Sequence, residues 1–231
     1  MSHASLENRS IPNFAPGHVA GTPFGADARR VAKRMADIAA SFLLLTLLSP
    51  LFMALAMLIR ADGGSAFYSH RRIGREGASF GCLKFRSMMM NGDARLAEHL
   101  AANPDAAAQW SARRKLEHDP RITRIGAFLR KTSLDELPQL LNVLRGEMSL
   151  VGPRPVVADE LRTHYGRAGA AAYLAVTPGI TGLWQVSGRS GTSYAERVAL
   201  DMRYAERLSL TRDLHILLRT IPAVLARRGA V

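Results

Sequence analysis

A run of uncharged, mostly apolar residues, Ile38–Ile59, constrains the fold of this chain more than any other feature. Its 22 residues would form a straight helix roughly 33 Å long, just enough to span the hydrocarbon core of a bilayer. Ser49 and Pro50 interrupt the run near its middle. Pro50 cannot donate a hydrogen bond to the carbonyl of Thr46, and we expect the hydroxyls of Thr46 and Ser49 to satisfy freed carbonyls locally. The run predicts a membrane helix with a break at Ser49 and Pro50.

Two paths through the membrane remain open: a kinked helix that spans it, and a re-entrant helix that enters and leaves on one side. Basic residues flank both ends of the run, at Arg29, Arg30, Lys33 and Arg34 before it and at Arg60, Arg71, Arg72 and Arg75 after it. Positive flanks favour the cytoplasmic side, and only a re-entrant path places both flanks there. A cleaved signal peptide is disfavoured because the segment before the apolar run is too long for the n-region of a signal peptide.

The chain is strongly basic, with a formal net charge of +12 and a pI of about 10.9. Such a charge suits an anionic membrane, a phosphorylated substrate or a nucleic acid. Aromatic residues make up only 6% of the chain, and no helix-turn-helix or RNP signature is present, so nucleic acid is not an expected partner. The lone cysteine, Cys82, excludes an intramolecular disulfide.

A pair of adjacent carboxylates, Asp135 and Glu136, follows two cations, Arg130 and Lys131. The spacing from Ser133 to Glu136 is that of a capping box, which would place both acids in the first turn of a helix. Acids beside several cations also suit phosphate chemistry, in which the cations bind phosphate oxygens and keep the acids ionised. The acids then hold a metal or act as a nucleophile. The residues alone leave both interpretations open.

The region after the acids combines a short apolar helix with a rigid corner. The apolar run Leu137–Leu144 predicts a helix that stops at Gly146, although Pro138 would weaken a helix that began at Ser133 or Asp135. The corner is Pro153-Arg154-Pro155, in which the two prolines restrict the backbone on both sides of the arginine. A guanidinium held in this way is suited to bidentate contact with phosphate.

The segment Arg130–Pro155 resembles the catalytic core of the bacterial sugar transferases, the monotopic polyprenyl-phosphate phosphoglycosyl transferases. The blocks Leu83–Met88 and Pro178–Arg189 agree with the same family. The likeness extends from about residue 29 to residue 226. It is strongest to the short exopolysaccharide-initiating galactosyl-phosphate transferases of the succinoglycan type.

The resemblance implies an enzyme that transfers hexose-1-phosphate from a UDP-hexose to undecaprenyl phosphate, the first membrane step of exopolysaccharide synthesis. Galactose is the favoured hexose and glucose the next. Asp135 would be the nucleophile that carries the phosphosugar, and Glu136 would bind Mg²⁺ together with it. The residues expected to contact substrate phosphates are Lys84, Arg130, Arg154 and Arg189.

The predicted fold is an α-rich α+β monotopic membrane protein, with a re-entrant N-terminal helix and a small cytosolic catalytic domain bearing interfacial amphipathic helices. The expected divisions are a flexible leader at 1–28, the re-entrant helix at 29–61 and the catalytic domain at 62–231. Strands are predicted at Ala66–His70 and Phe80–Phe85, and Thr177–Arg189 is expected to be a loop. The helical stretch Tyr194–Ala226 either lies in the membrane interface or packs on the core.

The expected location is the cytoplasmic face of the inner membrane, in contact with its lipids, and the sequence leaves a homo-oligomer open. Two other classes of function also remain. One is a metal-dependent phosphohydrolase or nucleotidyl transferase at the membrane, which would use the same acids and metal. The other is a non-catalytic basic membrane adaptor, which would have no use for the acid pair.

Overall fold

A computed structural model describes residues 24–113, 116–188 and 192–225, and it shows a helix-rich fold with two small sheets. The N-terminal half contains α1 (Phe24–Arg60), β1 (Phe67–Ile73), β2 (Ser79–Phe85), α2 (Gly92–Ala102), α3 (Pro104–Arg113) and α4 (Arg124–Thr132). The C-terminal half contains α5 (Gln139–Arg145), β3 (Ser149–Val151), α6 (Ala158–His164), α7 (Gly166–Leu174), β4 (Gly179–Thr181), α8 (Leu183–Val186), α9 (Tyr194–Glu206) and α10 (Leu210–Leu225).

The apolar run lies in α1, a helix of 37 residues that begins at Phe24, inside the segment predicted to be a leader. By length and composition this helix is able to cross a membrane. Pro50 lies within it, and Ser49 Oγ donates to the carbonyl of Thr46 at 2.9 Å, as the sequence predicted. The Thr46 hydroxyl in turn donates to the carbonyl of Phe42 at 2.9 Å. Residues 1–23 of the predicted leader lie outside the described residues.

The N-terminal part of α1 is fixed to the rest of the protein by charged side chains. Arg34 donates to the carbonyl of Leu144 at the end of α5, at 2.9 Å. Asp37 is buried and accepts hydrogen bonds from Ser149 Oγ at 2.7 Å and from the backbone N–H of Leu150 at 3.1 Å. This part of the helix is therefore joined to α5 and β3.

The C-terminal part of α1 packs against a different part of the same domain. Leu55 and Ile59 are buried in one cluster with Phe85 of β2 and Leu129 of α4. Arg86 donates to the carbonyl of Ile59 at 2.7 Å. Between the two attachments the helix presents large apolar side chains to its surroundings, among them Phe42, Leu43, Leu47, Met53 and Met57.

The two predicted strands near the end of α1 are confirmed, and they form an antiparallel hairpin. The register pairs Phe67 with Phe85 and Ile73 with Ser79. Lys84 and Arg86, which lie two residues apart in the sequence, have separate partners. Arg86 is nearly buried and pairs with Asp62, so it ties the hairpin to the end of α1.

The segment predicted as a loop, Thr177–Arg189, contains the strand β4 and the short helix α8. β4 lies parallel to β3, and the ladder continues where the N–H of Gly152 donates to the carbonyl of Thr181 at 2.9 Å. A Cβ added to Gly182 would lie only 2.0 Å from the carbonyl oxygen of Gly152. The glycines thus allow two backbones to approach, and they place the Pro153-Arg154-Pro155 corner beside α8.

The C-terminal stretch predicted as continuous helix is divided into α9 and α10 by residues 207–209. Ile216 of α10 is buried in the core, whereas Leu214, Leu218 and Ile221 are each 58% exposed. One face of α10 packs on the domain while another presents an apolar stripe. The packing of Ile216 confirms contact with the core, and a position in the membrane interface stays a prediction for the exposed stripe.

Candidate active site

The acid pair lies on a single turn of 3₁₀ helix, Leu134–Glu136, between α4 and α5. The predicted capping box is wrong. Ser133 has a left-handed backbone (φ 57°) and ends α4, where its N–H donates to the carbonyl of Arg130 at 3.2 Å. α5 begins only at Gln139, after Pro138, so neither acid occupies the first turn of an α-helix.

Lys84 brings the two carboxylates together. Its Nζ lies 3.0 Å from Asp135 Oδ2 and 2.8 Å from Glu136 Oε1. Lys84 stands one residue before the end of β2. The 3₁₀ turn Leu134–Glu136, which follows Ser133, brings the two acids to it. Asp135 is only 8% exposed, whereas the side chains of Lys84 and Glu136 are each 32% exposed, so burial acts mainly on Asp135.

Burial and charge act in opposite directions on these groups. Burial raises the pKa of Asp135, and the adjacent Glu136 adds to the rise, while Lys84 and Arg130 oppose it without cancelling it. Burial works to lower the pKa of Lys84, but the charges of Glu136 and Asp135 outweigh it and raise that pKa. The cations were expected to keep both acids ionised. They offset only part of the rise in the pKa of Asp135 that burial causes.

Two of the three predicted phosphate-binding arginines, Arg130 and Arg154, are described by the structure, and they occupy different settings. Arg130 donates through Nε to Ser87 Oγ at 2.9 Å, and its charge reaches Asp135. Arg154 is exposed, and its Cζ lies 5.9 Å from the centre of the Trp184 ring. Arg189 lies outside the described residues, so the proposal for it is untested.

The buried thiol of Cys82 is affected by the charges of Arg154, Lys84 and Glu136. Burial raises the pKa of this thiol, the charges of Lys84 and Arg154 lower it, and that of Glu136 raises it. The charges of Lys84, Glu136 and Arg154 therefore all act on the Cys82 thiol.

Sequence reasoning did not single out Arg197, a buried cation of α9 that packs against the ring of Trp184, with its Cζ 4.8 Å from the ring centre. A usable signal was the capping box Ser193 to Glu196, which is formed in the structure and opens α9. Arg197 follows it by one residue. The box locates the helix, but it does not indicate which face of the helix is buried.

The acid pair fits a magnesium ion better than a zinc ion. Within the described ranges, no group of three or more His, Cys, Asp or Glu side chains is placed to hold a metal. Mg²⁺ is commonly held by one or two carboxylates together with substrate phosphates and water, whereas zinc sites need three or four protein ligands. Asp135 and Glu136 supply the two carboxylates, and Lys84 supplies a positive charge between them.

Comparison with known proteins agrees with the resemblance in the sequence. Residues 28–227 match the family described as bacterial sugar transferase. The exopolysaccharide production protein ExoY of Rhizobium meliloti is 52% identical over 229 residues, which cover 98% of this chain and 99% of ExoY.

Two further relatives carry more specific names. The undecaprenyl-phosphate galactose phosphotransferase of Salmonella typhimurium is 51% identical over 201 residues, covering 87% of this chain and 42% of the relative. The UDP-glucose:undecaprenyl-phosphate glucose-1-phosphate transferase of Caulobacter vibrioides is 42% identical over 218 residues, covering 91% of this chain and 76% of the relative. The match to the family extends over nearly all of α1 and every catalytic element described above, and this chain belongs to the bacterial sugar transferase family.

Proposed function

We propose that this protein is a phosphoglycosyl transferase that moves hexose-1-phosphate from a UDP-hexose to undecaprenyl phosphate and so initiates an exopolysaccharide. The observation that carries the proposal is the pair of a buried Asp135 and a half-buried Glu136, bridged by Lys84 at hydrogen-bond distance. The pair occurs in a chain that matches an exopolysaccharide production protein over almost its full length. The names of the relatives favour galactose first and glucose second.

Asp135 is the nucleophile in this proposal. One of its carboxylate oxygens attacks the phosphorus that carries the hexose, forming an oxygen–phosphorus bond as the bond to the bridging oxygen breaks. UMP leaves with the electron pair of that bond. A phosphate oxygen of undecaprenyl phosphate then attacks the same phosphorus, which frees Asp135 and gives undecaprenyl-diphosphate-hexose.

Cations make this attack feasible, because a carboxylate and a phosphate ester repel each other. Lys84 lies between the two acids and cancels part of their charge where the phosphate must approach. Arg130 and Arg154 are proposed to bind phosphate oxygens, as is Arg189. Asp135 and Glu136 are proposed to hold Mg²⁺, which when bound would neutralise phosphoryl oxygens.

The membrane helix is proposed to be re-entrant, with the catalytic domain on the cytoplasmic face of the inner membrane. Both parts of α1 attach to the same domain, through Arg34 and Asp37 on one side and Ile59 on the other. A helix that crossed the bilayer would carry these two parts to opposite faces. The common attachment and the basic flanks both support one-sided entry.

Replacing Lys84 by Met should lower UMP release by about 100-fold or more, because the charge opposing phosphate repulsion is lost. Lys84 lowers the pKa of Asp135, so its removal should also move the acidic limb of the pH–rate profile to higher pH. The profile is measured as UMP release at a series of pH values. The control is Lys131→Met, the same change at an exposed lysine four residues before Asp135. An unshifted profile in Lys84→Met would contradict this role.

Enzyme incubated with UDP-hexose labelled in the sugar should retain the label, and undecaprenyl phosphate should then release it. Asp135→Asn should abolish retention and turnover, while the exposed Asp159→Asn should behave as the parent. Circular dichroism checks that both variants fold. UMP should appear before lipid phosphate is added, in an amount equal to the enzyme. Catalytic UMP release without lipid phosphate would indicate a phosphohydrolase instead.

Removal of divalent metal with EDTA should reduce UMP release to background, and added Mg²⁺ should restore it. The physical reason is that the acid pair supplies hard oxygen ligands. Zn²⁺ at the same free concentration is the comparison. Full turnover in excess EDTA would show that Lys84 and the arginines neutralise the phosphate without a metal.

Single cysteines at exposed positions on either side of the apolar run should be labelled from the same face of the membrane. Suitable changes are Ala28→Cys and Ala61→Cys, each in a Cys82→Ala background. An impermeant maleimide is applied to intact spheroplasts and to inverted vesicles, and both sites should react only in the vesicles. Reaction of the two sites in opposite preparations would establish a spanning helix.

A further inference from the structure

Arg154 has a rigid backbone and a long, exposed side chain. The prolines at 153 and 155 restrict its main chain, but they leave the guanidinium free to rotate through the side-chain torsions. A guanidinium that binds two phosphate oxygens through a pair of N–H donors binds more tightly when its orientation is fixed before the phosphate arrives. The contact that the structure shows for it is the face of Trp184, 5.9 Å from the Arg154 Cζ to the ring centre.

Trp184 is itself held from two sides. Its indole Nε1 donates to Thr192 Oγ1 at 2.7 Å, which fixes the rotation of the ring. The guanidinium of Arg197 packs against the ring with its Cζ 4.8 Å from the centre. The ring is therefore a fixed surface rather than a mobile side chain at the edge of the domain.

Arg197 belongs to an uncommon arrangement for a buried cation. It is only 7% exposed, and its Nε and Nη2 are buried without a hydrogen-bond acceptor in the part of the chain that the structure describes. Its Cζ lies 5.0 Å from the centre of the Tyr194 ring as well as 4.8 Å from that of Trp184. The two ring faces thus provide the attraction that acceptors would otherwise provide.

The far end of this stack is fixed in α6. Glu160 accepts from Nη1 of Arg197 at 3.4 Å and also from the hydroxyl of Tyr194. The Tyr194 ring stacks on the His164 ring at a centre-to-centre distance of 3.9 Å. A series of contacts therefore leads from His164 on α6 to Arg154. It passes through Tyr194, Arg197 and Trp184.

We propose that Trp184 is a positioning residue that holds the Arg154 guanidinium in the orientation needed for substrate phosphate, with Arg197 packed against the same ring. The proposal rests on the proposed function, in which Arg154 binds phosphate. A flat ring face attracts a guanidinium without using its N–H groups, so the donors of Arg154 remain available to the substrate.

The test is a double-mutant cycle on kcat/KM for UDP-hexose with undecaprenyl phosphate, using Trp184→Leu, Arg154→Ala and the double variant. A cation–π contact of ordinary strength corresponds to a loss of about 2- to 30-fold for Trp184→Leu. The effect should vanish in the Arg154→Ala background if Trp184 acts through Arg154. Trp184→Phe keeps a ring face and should recover most of the loss. Trp110→Leu, a change at the other tryptophan, should leave kcat/KM unchanged.

Loss of folding in Trp184→Leu would not remove the test, because Thr192→Val releases the ring without deleting it. Thr192→Val should lower kcat/KM in the parent and leave Arg154→Ala unaffected. Equal fold losses in the two backgrounds would overturn the positioning role and leave the proposed function intact. An Arg154→Ala variant with parental kcat/KM would overturn it too, by removing the phosphate contact. Absence of lipid-dependent UMP release in the parent would instead overturn the proposed function, and this inference with it.

Discussion

The attachment of both parts of α1 to one domain is the constraint on which the rest of the structure depends. Asp37 holds Ser149 and Leu150, a few residues before Arg154. At the other attachment, the carbonyl of Ile59 is held by Arg86, two residues after Lys84. The contacts that seat the membrane helix are thus adjacent in sequence to the groups proposed to bind phosphate. A shift of the helix would move these proposed phosphate-binding groups with it.

Burial gives the acid pair its chemical character. A carboxylate in water is strongly solvated and a weak nucleophile, whereas Asp135 is largely buried and its pKa is raised. Complete neutralisation by cations would lower the pKa again and weaken the nucleophile. Lys84 divides its charge between Asp135 and Glu136, so it limits repulsion of the phosphate without fully pairing either acid. The result is an acid pair in which Asp135 is largely desolvated, while Glu136 and the bridging Lys84 stay partly exposed to an approaching anion.

Local patterns predicted the fold where a single segment decided the outcome. The Ser49 hydroxyl does satisfy the carbonyl of Thr46, the hairpin strands are present, and Gly146 ends α5 in a left-handed conformation. The same S-x-x-E pattern failed at Ser133 and succeeds at Ser193. A helix runs directly into Ser133, which therefore serves as the end of that helix, whereas Thr192, the residue before Ser193, is not helical.

The other differences between the prediction and the structure arise from contacts with residues that are distant in sequence. β4 was predicted as a loop because a three-residue strand in a segment interrupted by glycines and a proline has no pattern of its own, and it is defined by pairing with β3. Arg86 follows Lys84 by two residues in the sequence, but its partners are Ile59, Ser65 and Asp62. Nothing in the local sequence distinguishes the two cations. The candidate site could therefore be predicted as a set of residues, whereas the pairing of each cation could not.

The surroundings of the arginines distinguish structural from substrate-binding roles. The guanidinium of Arg86 donates to backbone carbonyls and to a carboxylate, so its donors are used within the protein. A carboxylate placed beside Arg154 in the same way would orient it but would compete with the substrate for the same N–H groups. The face of Trp184 orients Arg154 without that competition. An aromatic ring is thus the kind of neighbour that a phosphate-binding arginine requires when it must be held in place before the substrate arrives.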